Sequence, residues 1–248
     1  MNISTVRTHA LTAKDKDLIS LLDKYLPNFE EKSILIVTSK IVSILEGRTV
    51  KIGDREKSEL VSEEANLVLQ DAKSKYGITL TVKNGVLIPT AGIDESNGDG
   101  YYILWPKNAQ ETANTVREYL CKRFGIKYAG VLITDSTTAP LRWGTRGLAI
   151  AHSGFKALSN YIGKDDLFGR KITVTKASIT DGLAAAAVLV MGEGAEQTPL
   201  AVAKELPFVT FQDGNPTKEE LAELEISIEE DLYAPILTKG RWKKTGKA

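Results

Sequence analysis

The sequence predicts an α+β fold with mixed or largely antiparallel sheets and flanking helices. Three observations predict it. Short apolar runs rich in β-branched residues are interspersed with helix-spaced stretches, but not in regular βαβ alternation. An Asn84-Gly85 dipeptide between two such runs is a tight-hairpin signal. No repeat of 20–50 residues and no long linker divides the 248 residues.

Residues 15–26 carry Leu18, Ile19, Leu21, Leu22 and Leu26 at helical spacing. Residues 33–38 (SILIVT) form a buried-strand run. Residues 58–76 are expected to be one long helix, with Leu60, Val61, Leu67, Val68, Ala72 and Tyr76 as its stripe and Gly77 as its C-cap. Strands are expected at 78–82 and 86–88. Residues 108–124 read as a helix, capped by Asn108 with Glu111 three residues on and stopped by Gly125.

Residues 130–134 (GVLIT) are a second buried strand, and 147–151 a third. Residues 172–175 alternate like a strand, 178–191 are an Ala-rich helix, and 199–203 a last core strand. Thr217 and Glu220 form a capping-box signal, and the basic residues 239–248 are expected to fray. The organisation expected is a catalytic unit over 1–212, as one domain or two interleaved lobes, followed by a charged extension over 213–248.

Composition narrows the function classes. Lys plus Arg equals Asp plus Glu, at 32 each. That balance offers no footprint for nucleic acid. The single cysteine, Cys121, rules out an intramolecular disulfide and a Cys-based metal site, and it reads as a small core residue. Residues 1–11 lack the apolar stretch of a signal peptide, and the longest apolar run, 183–191, is too short to span a bilayer. A cytoplasmic location without a membrane partner is the expectation. Walker A, GxGxxG, HExxH and GxSxG patterns are all missing, so none of those nucleotide, zinc or serine-hydrolase chemistries is supported.

Four segments remain that could carry chemistry: Thr38-Ser39-Lys40 after a buried strand, the loop GIDESNG at 92–98, Thr134-Asp135-Ser136 at a strand end, and Gly192-Glu193-Gly194 past a helix. Strand ends and the loops that follow them are where a rigid scaffold presents reactive groups. Asp94, Asp135 and Glu193 are hard oxygen ligands that would suit Mg²⁺ or Mn²⁺, with Lys40 and Arg142 balancing phosphate charge. Each has a plainer alternative. Asp94 reads also as an Asx-turn, Asp135-Ser136 as turn chemistry before Pro140, Glu193 as solvated loop, and Asp181 as the N3 partner of a helix cap. His9 lacks a partner motif, His152 reads as a structural histidine, and Trp105 and Trp143 as packing anchors.

Taken in order, these segments resemble the coenzyme F-420-0:L-glutamate ligase family over residues 37–206. SKIVS at 39–43 with Glu46-Gly47-Arg48, GIDESN at 92–97, Thr134-Asp135-Ser136 with Pro140, Arg142 and Gly144, GLAIA at 147–151, the segment from Tyr161 to Arg170, and the Ala-rich stretch 184–192 match its motif blocks. The resemblance implies that family's α+β fold and an intertwined homodimer. It implies GTP and two divalent metal ions, Mg²⁺ or Mn²⁺, activating a carboxylate on a deazaflavin precursor that the amine of L-glutamate then attacks. Metal ligands carry over to Asp94, Asp135 and Ser136, with Glu193 as a further one. Nucleotide contacts carry over to Ser39, Lys40 and Asn97 and to the loop 191–198, which includes Glu193 and Gly194. The loop 9–12 falls where the family also touches nucleotide. Asp94, Asp135 and Arg142 are thereby the expected catalytic residues, and the loop 92–100 the expected lid.

The chain departs from the family pattern at three places. Ile44 stands at a usual lysine, Thr138-Ala139 and Leu141 replace Gly-Arg and Trp, and Gly182 replaces a glutamate. These changes spare the metal carboxylates and alter their surroundings. They leave open a folate-like or other pterin acceptor of γ-glutamate, and a catalytically weakened GTP-binding relative.

Overall fold

A computed structural model describes residues 1–15 and 17–245, without the side chains of 71–73. The elements run β1 (Asn2–Val6), α1 (Leu18–Tyr25), β2 (Ser33–Thr38), α2 (Ser39–Leu45), β3 (Thr49–Lys51), α3 (Lys57–Glu64), β4 (Leu67–Lys73), β5 (Thr79–Lys83), β6 (Val86–Pro89) and β7 (Tyr101–Ile103). Then follow α4 (Ala109–Phe124), β8 (Ala129–Thr138), β9 (Thr145–Ser153), β10 (Leu158–Asn160), β11 (Lys176–Ser178), α5 (Ile179–Met191), β12 (Leu200–Lys204), α6 (Lys218–Ala222), α7 (Ala234–Leu237) and β13 (Trp242–Lys244).

The main sheet has the order β1-β12-β2-β8-β9, and only its β2–β8 pair is parallel. A second sheet, β13-β4-β5-β6, is antiparallel throughout. This is the mixed, largely antiparallel α+β architecture that the sequence predicts. Alternation along β2 explains its layering. Leu35 and Val37 pack with α1, α2 and α4 through Leu22, Val42 and Leu120. Ile34 and Ile36 face the other way, onto Leu183, Ala184 and Ala187 of α5. Gly147 lets α5 press onto β9, because a Cβ there would lie 2.1 Å from the Ala184 carbonyl oxygen. A third cluster joins α3 to the second sheet through Leu60, Val61, Val68 and Leu104.

Caps behave as expected. Asn108 accepts from Glu111 N, Gly125 ends α4 at φ +64°, and Ser178 accepts from Asp181 N. The full capping box of Thr217 and Glu220 is present. Asn84 (φ +48°) and Gly85 (φ +75°) make the tight turn between β5 and β6. His152 is buried edge-on to Phe155, and burial pushes its imidazole pKa down to about 4.

Several expectations are corrected. The long helix of 58–76 stops at Glu64, and Leu67–Lys73 is β4. Helical spacing there is overridden by cross-strand pairing with β5 and β13. Gly77 belongs to the turn after β4, its N–H bonding to Ser74 O. Residues 172–175 are not a strand; the pairing falls on Lys176–Ser178, against β10. The tail does not simply fray, since Trp242–Lys244 adds β13 to the second sheet; residues 246–248 lie outside the described ones. Asn2–Val6, unassigned from sequence, forms an edge strand against β12. Helix α1 begins at Leu18 under an Asp17 cap; Lys16, inside the expected helix, lies outside the described residues. Trp143 is no packing anchor but 91% exposed. Among the described residues no helix is long and apolar enough to cross a membrane.

Candidate active site

Strand register places four chemistry-bearing segments at one end of the main sheet. β2 and β8 run parallel, and their pairing ends with Thr38 opposite Thr134, beyond which β8 continues beside β9. Lys40 follows the first in the opening turn of α2, and Asp135 follows Thr134 directly. β12 runs the other way, so the 192–199 loop enters at this same end, with Thr38 N bonded to Pro199 O. Val6 pairs with Leu200, so the loop after β1 also leaves here. A bulge between Ile133 and Thr134 re-aims β8 just before Asp135.

These segments and the 94–99 loop enclose a cavity of about 500 Å³. Its lining includes Lys40, Asp94, Asn97, Asp135, Ser136, Glu193 and Gly194. The structure thus brings together most of the residues singled out in the sequence. Ser39 is buried in α2 and Arg142 sits on an exposed turn, and neither lines the cavity. Asp99, Glu196 and Gln197 also line it; they fall in the expected lid 92–100 and the expected nucleotide loop 191–198, but no motif singles them out individually. His9 lines it too and has partners after all, Asp15 at 3.1 Å and the Tyr25 hydroxyl at 2.8 Å.

The lining is strongly acidic. Asp94, Asp99, Asp135, Glu193 and Glu196 face one lysine, Lys40, and among the described lining residues there is no arginine. Lys40 Nζ lies 2.7 Å from Asp94 Oδ2 and donates to Ser96 O and Oγ at 2.9 and 3.0 Å. Burial pushes the Asp94 carboxyl up, but the hydrogen bond and charge of Lys40, with bonds from Ser96, more than reverse it. Ser96 N also donates to Asp94 Oδ1, so the Asx-turn and the pairing with Lys40 coexist. Asn97 Nδ2 ties the loop to Gly194 O at 2.8 Å.

Asp135 is in the opposite state. Burial pushes its carboxyl up to about 6, and the charge of Asp94 adds to this against hydrogen bonds from Ser136 N and the Trp105 indole. Next to it, Thr134 Oγ1 is buried without a partner. A raised carboxyl, a buried hydroxyl without a partner and a neighbouring carboxylate are donors that a divalent cation would satisfy. No three His, Cys, Asp or Glu side chains group as a ready metal cage among the described residues. The donor set fits Mg²⁺ or Mn²⁺ held by two carboxylates and a hydroxyl, with the rest of the coordination from substrate and water.

The family described as F420-0:gamma-glutamyl ligase matches residues 6–205. The chain belongs to that family. A protein of Methanococcus maripaludis strain C7 named coenzyme F420:L-glutamate ligase is 34% identical over 221 residues, covering 89% of this chain and 86% of the relative. A Methanocaldococcus jannaschii protein of the same name is 34% identical, covering 70% of this chain and 75% of its own length. One from Archaeoglobus fulgidus is 32% identical, covering 79% and 84%. The family match includes every segment that lines the cavity.

Proposed function

We propose that this member of the family joins L-glutamate by an amide bond to coenzyme F420-0 or a closely similar carboxylate-bearing acceptor, driven by GTP. The observation that carries this is the acidic cavity itself, where Asp94 and Asp135 converge. Five carboxylates and one lysine would repel a triphosphate unless cations enter with it. Asp94, Asp135 and the Ser136 hydroxyl would hold two divalent ions, and Glu193 is the further ligand from the loop. Bound there, Mg²⁺ or Mn²⁺ would shield the phosphates and act as Lewis acids on the transferred phosphoryl group.

The chain's own residues do the rest. Lys40 neutralises phosphate oxygens. Asn97 and Gly194 already bridge the 94–99 and 192–198 loops and close over the nucleotide. The acceptor carboxylate takes the γ-phosphoryl group, giving an acyl phosphate and GDP. The amine of glutamate attacks the acyl carbon, phosphate leaves, and the amine loses a proton as the amide forms. Water must be kept out until the amine arrives, a role assigned to the 92–100 loop.

A homodimer is part of the proposal. The turn between β8 and β9 exposes Leu141 and Trp143, and the segment between β10 and β11 exposes Leu167, Phe168 and Val174, apolar surface that a second copy would cover. Arg142 lies on the turn between β8 and β9, outside its own protomer's cavity.

A second reading has one observation in its favour. Ile44 lines the cavity where a second cation would help hold phosphate. This supports a GTP-binding relative with weakened activity. Incubation with GTP, Mn²⁺, L-glutamate and F420-0, with a parallel folate arm, separates the readings by mass spectrometry. A glutamylated deazaflavin with phosphate release supports the proposal. Nucleotide binding without product from either acceptor contradicts it.

A further inference from the structure

Asp135 is held by a residue outside the cavity. Trp105 is buried, and its indole N–H donates to Asp135 Oδ2, while Ser136 N donates to Oδ1 at 2.8 Å. A buried indole N–H needs an acceptor, and a backbone carbonyl would serve for packing alone. Here the acceptor is a carboxylate that lines the cavity.

The ring is fixed from several sides. Gly92 makes room for it, since a Cβ at that glycine would lie 2.1 Å from the indole nitrogen. Arg48 Nε donates to the Trp105 carbonyl at 3.1 Å, and Leu104 N bonds to Arg48 O at 3.0 Å. The Arg48 guanidinium is in turn braced by Glu64 at 2.6 Å, and Glu64 by the buried Lys83 at 2.6 Å. This chain of contacts runs from the second sheet to the catalytic end of the main one. Nothing in it touches the cavity except Asp135.

We propose that Trp105 is a positioning residue, whose indole N–H fixes the rotation of the Asp135 carboxylate and turns its remaining lone pairs toward a divalent cation. This rests on the reading of Asp135 as a metal ligand. Each carboxylate oxygen has one hydrogen bond from the protein, which leaves one lone pair on each for the cavity. Partners of metal ligands that fix ligand orientation typically change metal affinity by roughly tenfold to a hundredfold when removed.

Binding of Mn²⁺ alone to the full chain, followed by the electron paramagnetic resonance signal of free Mn²⁺, tests this in the wild type, Trp105→Phe and Asp135→Asn. The expected result is loss of the site in Asp135→Asn and affinity roughly tenfold weaker or more in Trp105→Phe, with unchanged circular dichroism. Wild-type affinity in Trp105→Phe, with loss in Asp135→Asn, overturns the role of Trp105 and leaves the metal site standing. Wild-type affinity in Asp135→Asn overturns the metal reading and the proposal with it. Should Trp105→Phe fail to fold, a Trp143→Phe/Trp242→Phe variant keeps Trp105 as the sole tryptophan. Mn²⁺ then quenches its fluorescence, and only while Asp135 is present. Absence of that quenching overturns the proposal.

Discussion

Lys40 Nζ sits 2.7 Å from Asp94 Oδ2, so a lysine from the first turn of α2 stands as counter-ion to a carboxylate proposed to hold metal. The same ammonium binds Ser96 twice, which pins the loop around Asp94. On the proposed function, Lys40 would turn from Asp94 to phosphate as a metal–nucleotide complex enters. Lys40→Met is expected to have opposite effects on two ligands. Mn²⁺ alone should bind about threefold more tightly, because a partly exposed pair worth under about 1 kcal/mol no longer competes. GTP should bind about tenfold more weakly, on the scale of one charged hydrogen bond. Calorimetric titration of each ligand checks both directions.

Asp135 gives a pH dependence whose sign can be worked out. Its carboxyl titrates at about 6 in the fold against an ordinary value of 3.8. The folded state holds this proton more tightly than the unfolded one. Its contribution to stability is full below 3.8 and is lost as pH rises toward 6. In metal-free protein, Asp135→Asn should therefore gain in melting temperature over the wild type from pH 4 to pH 6 and stay ahead at pH 7. Parallel melting curves across that range would mean the carboxyl is not perturbed.

Gly92 has φ +73° and lies against the Trp105 ring. Gly92→Ala should destabilise the chain by about 1–3 kcal/mol, the cost of overpacking a filled site. The displaced indole should also weaken Mn²⁺ binding. Gly100 has a positive φ as well but open space around it, so Gly100→Ala isolates the backbone cost. Urea unfolding of the two variants, with Mn²⁺ titration of each, separates strain from loss of the indole contact.

Leu167 and Phe168 are each 91% exposed, on a turn closed by Asp166 and Arg170. Sedimentation velocity should give a dimer for the wild type. Leu167→Asp/Phe168→Asp should shift it to monomer at micromolar concentration while the circular dichroism of the chain is kept. A wild-type monomer would remove the reason given for that exposed apolar surface.

Much of this was legible in the sequence, and the exceptions have physical causes. The caps at Asn108, Ser178 and Thr217 are local hydrogen-bond chemistry, so residue type and spacing sufficed to locate them. The turn at Asn84-Gly85 is equally local. The stretch after Glu64 is ambiguous in sequence because Leu67 and Val68 suit a helix stripe and a strand alike, and the choice is made by partners distant in sequence. At the site, the acidic loops could be named, but not their convergence, which depends on the parallel pairing of β2 with β8 and on β12 starting beside the end of β2. From sequence, Trp105 is expected only to pack. Its bond to Asp135 crosses thirty residues of chain, and no spacing rule signals it.

The most direct measurement is the anomalous scattering of manganese in crystals grown with Mn²⁺ and a non-hydrolysable GTP analogue. The account predicts manganese within coordination distance of both Asp94 and Asp135, with Lys40 turned from Asp94 onto phosphate. An ordered nucleotide with no anomalous peak at either carboxylate, and Lys40 still paired with Asp94, would contradict it.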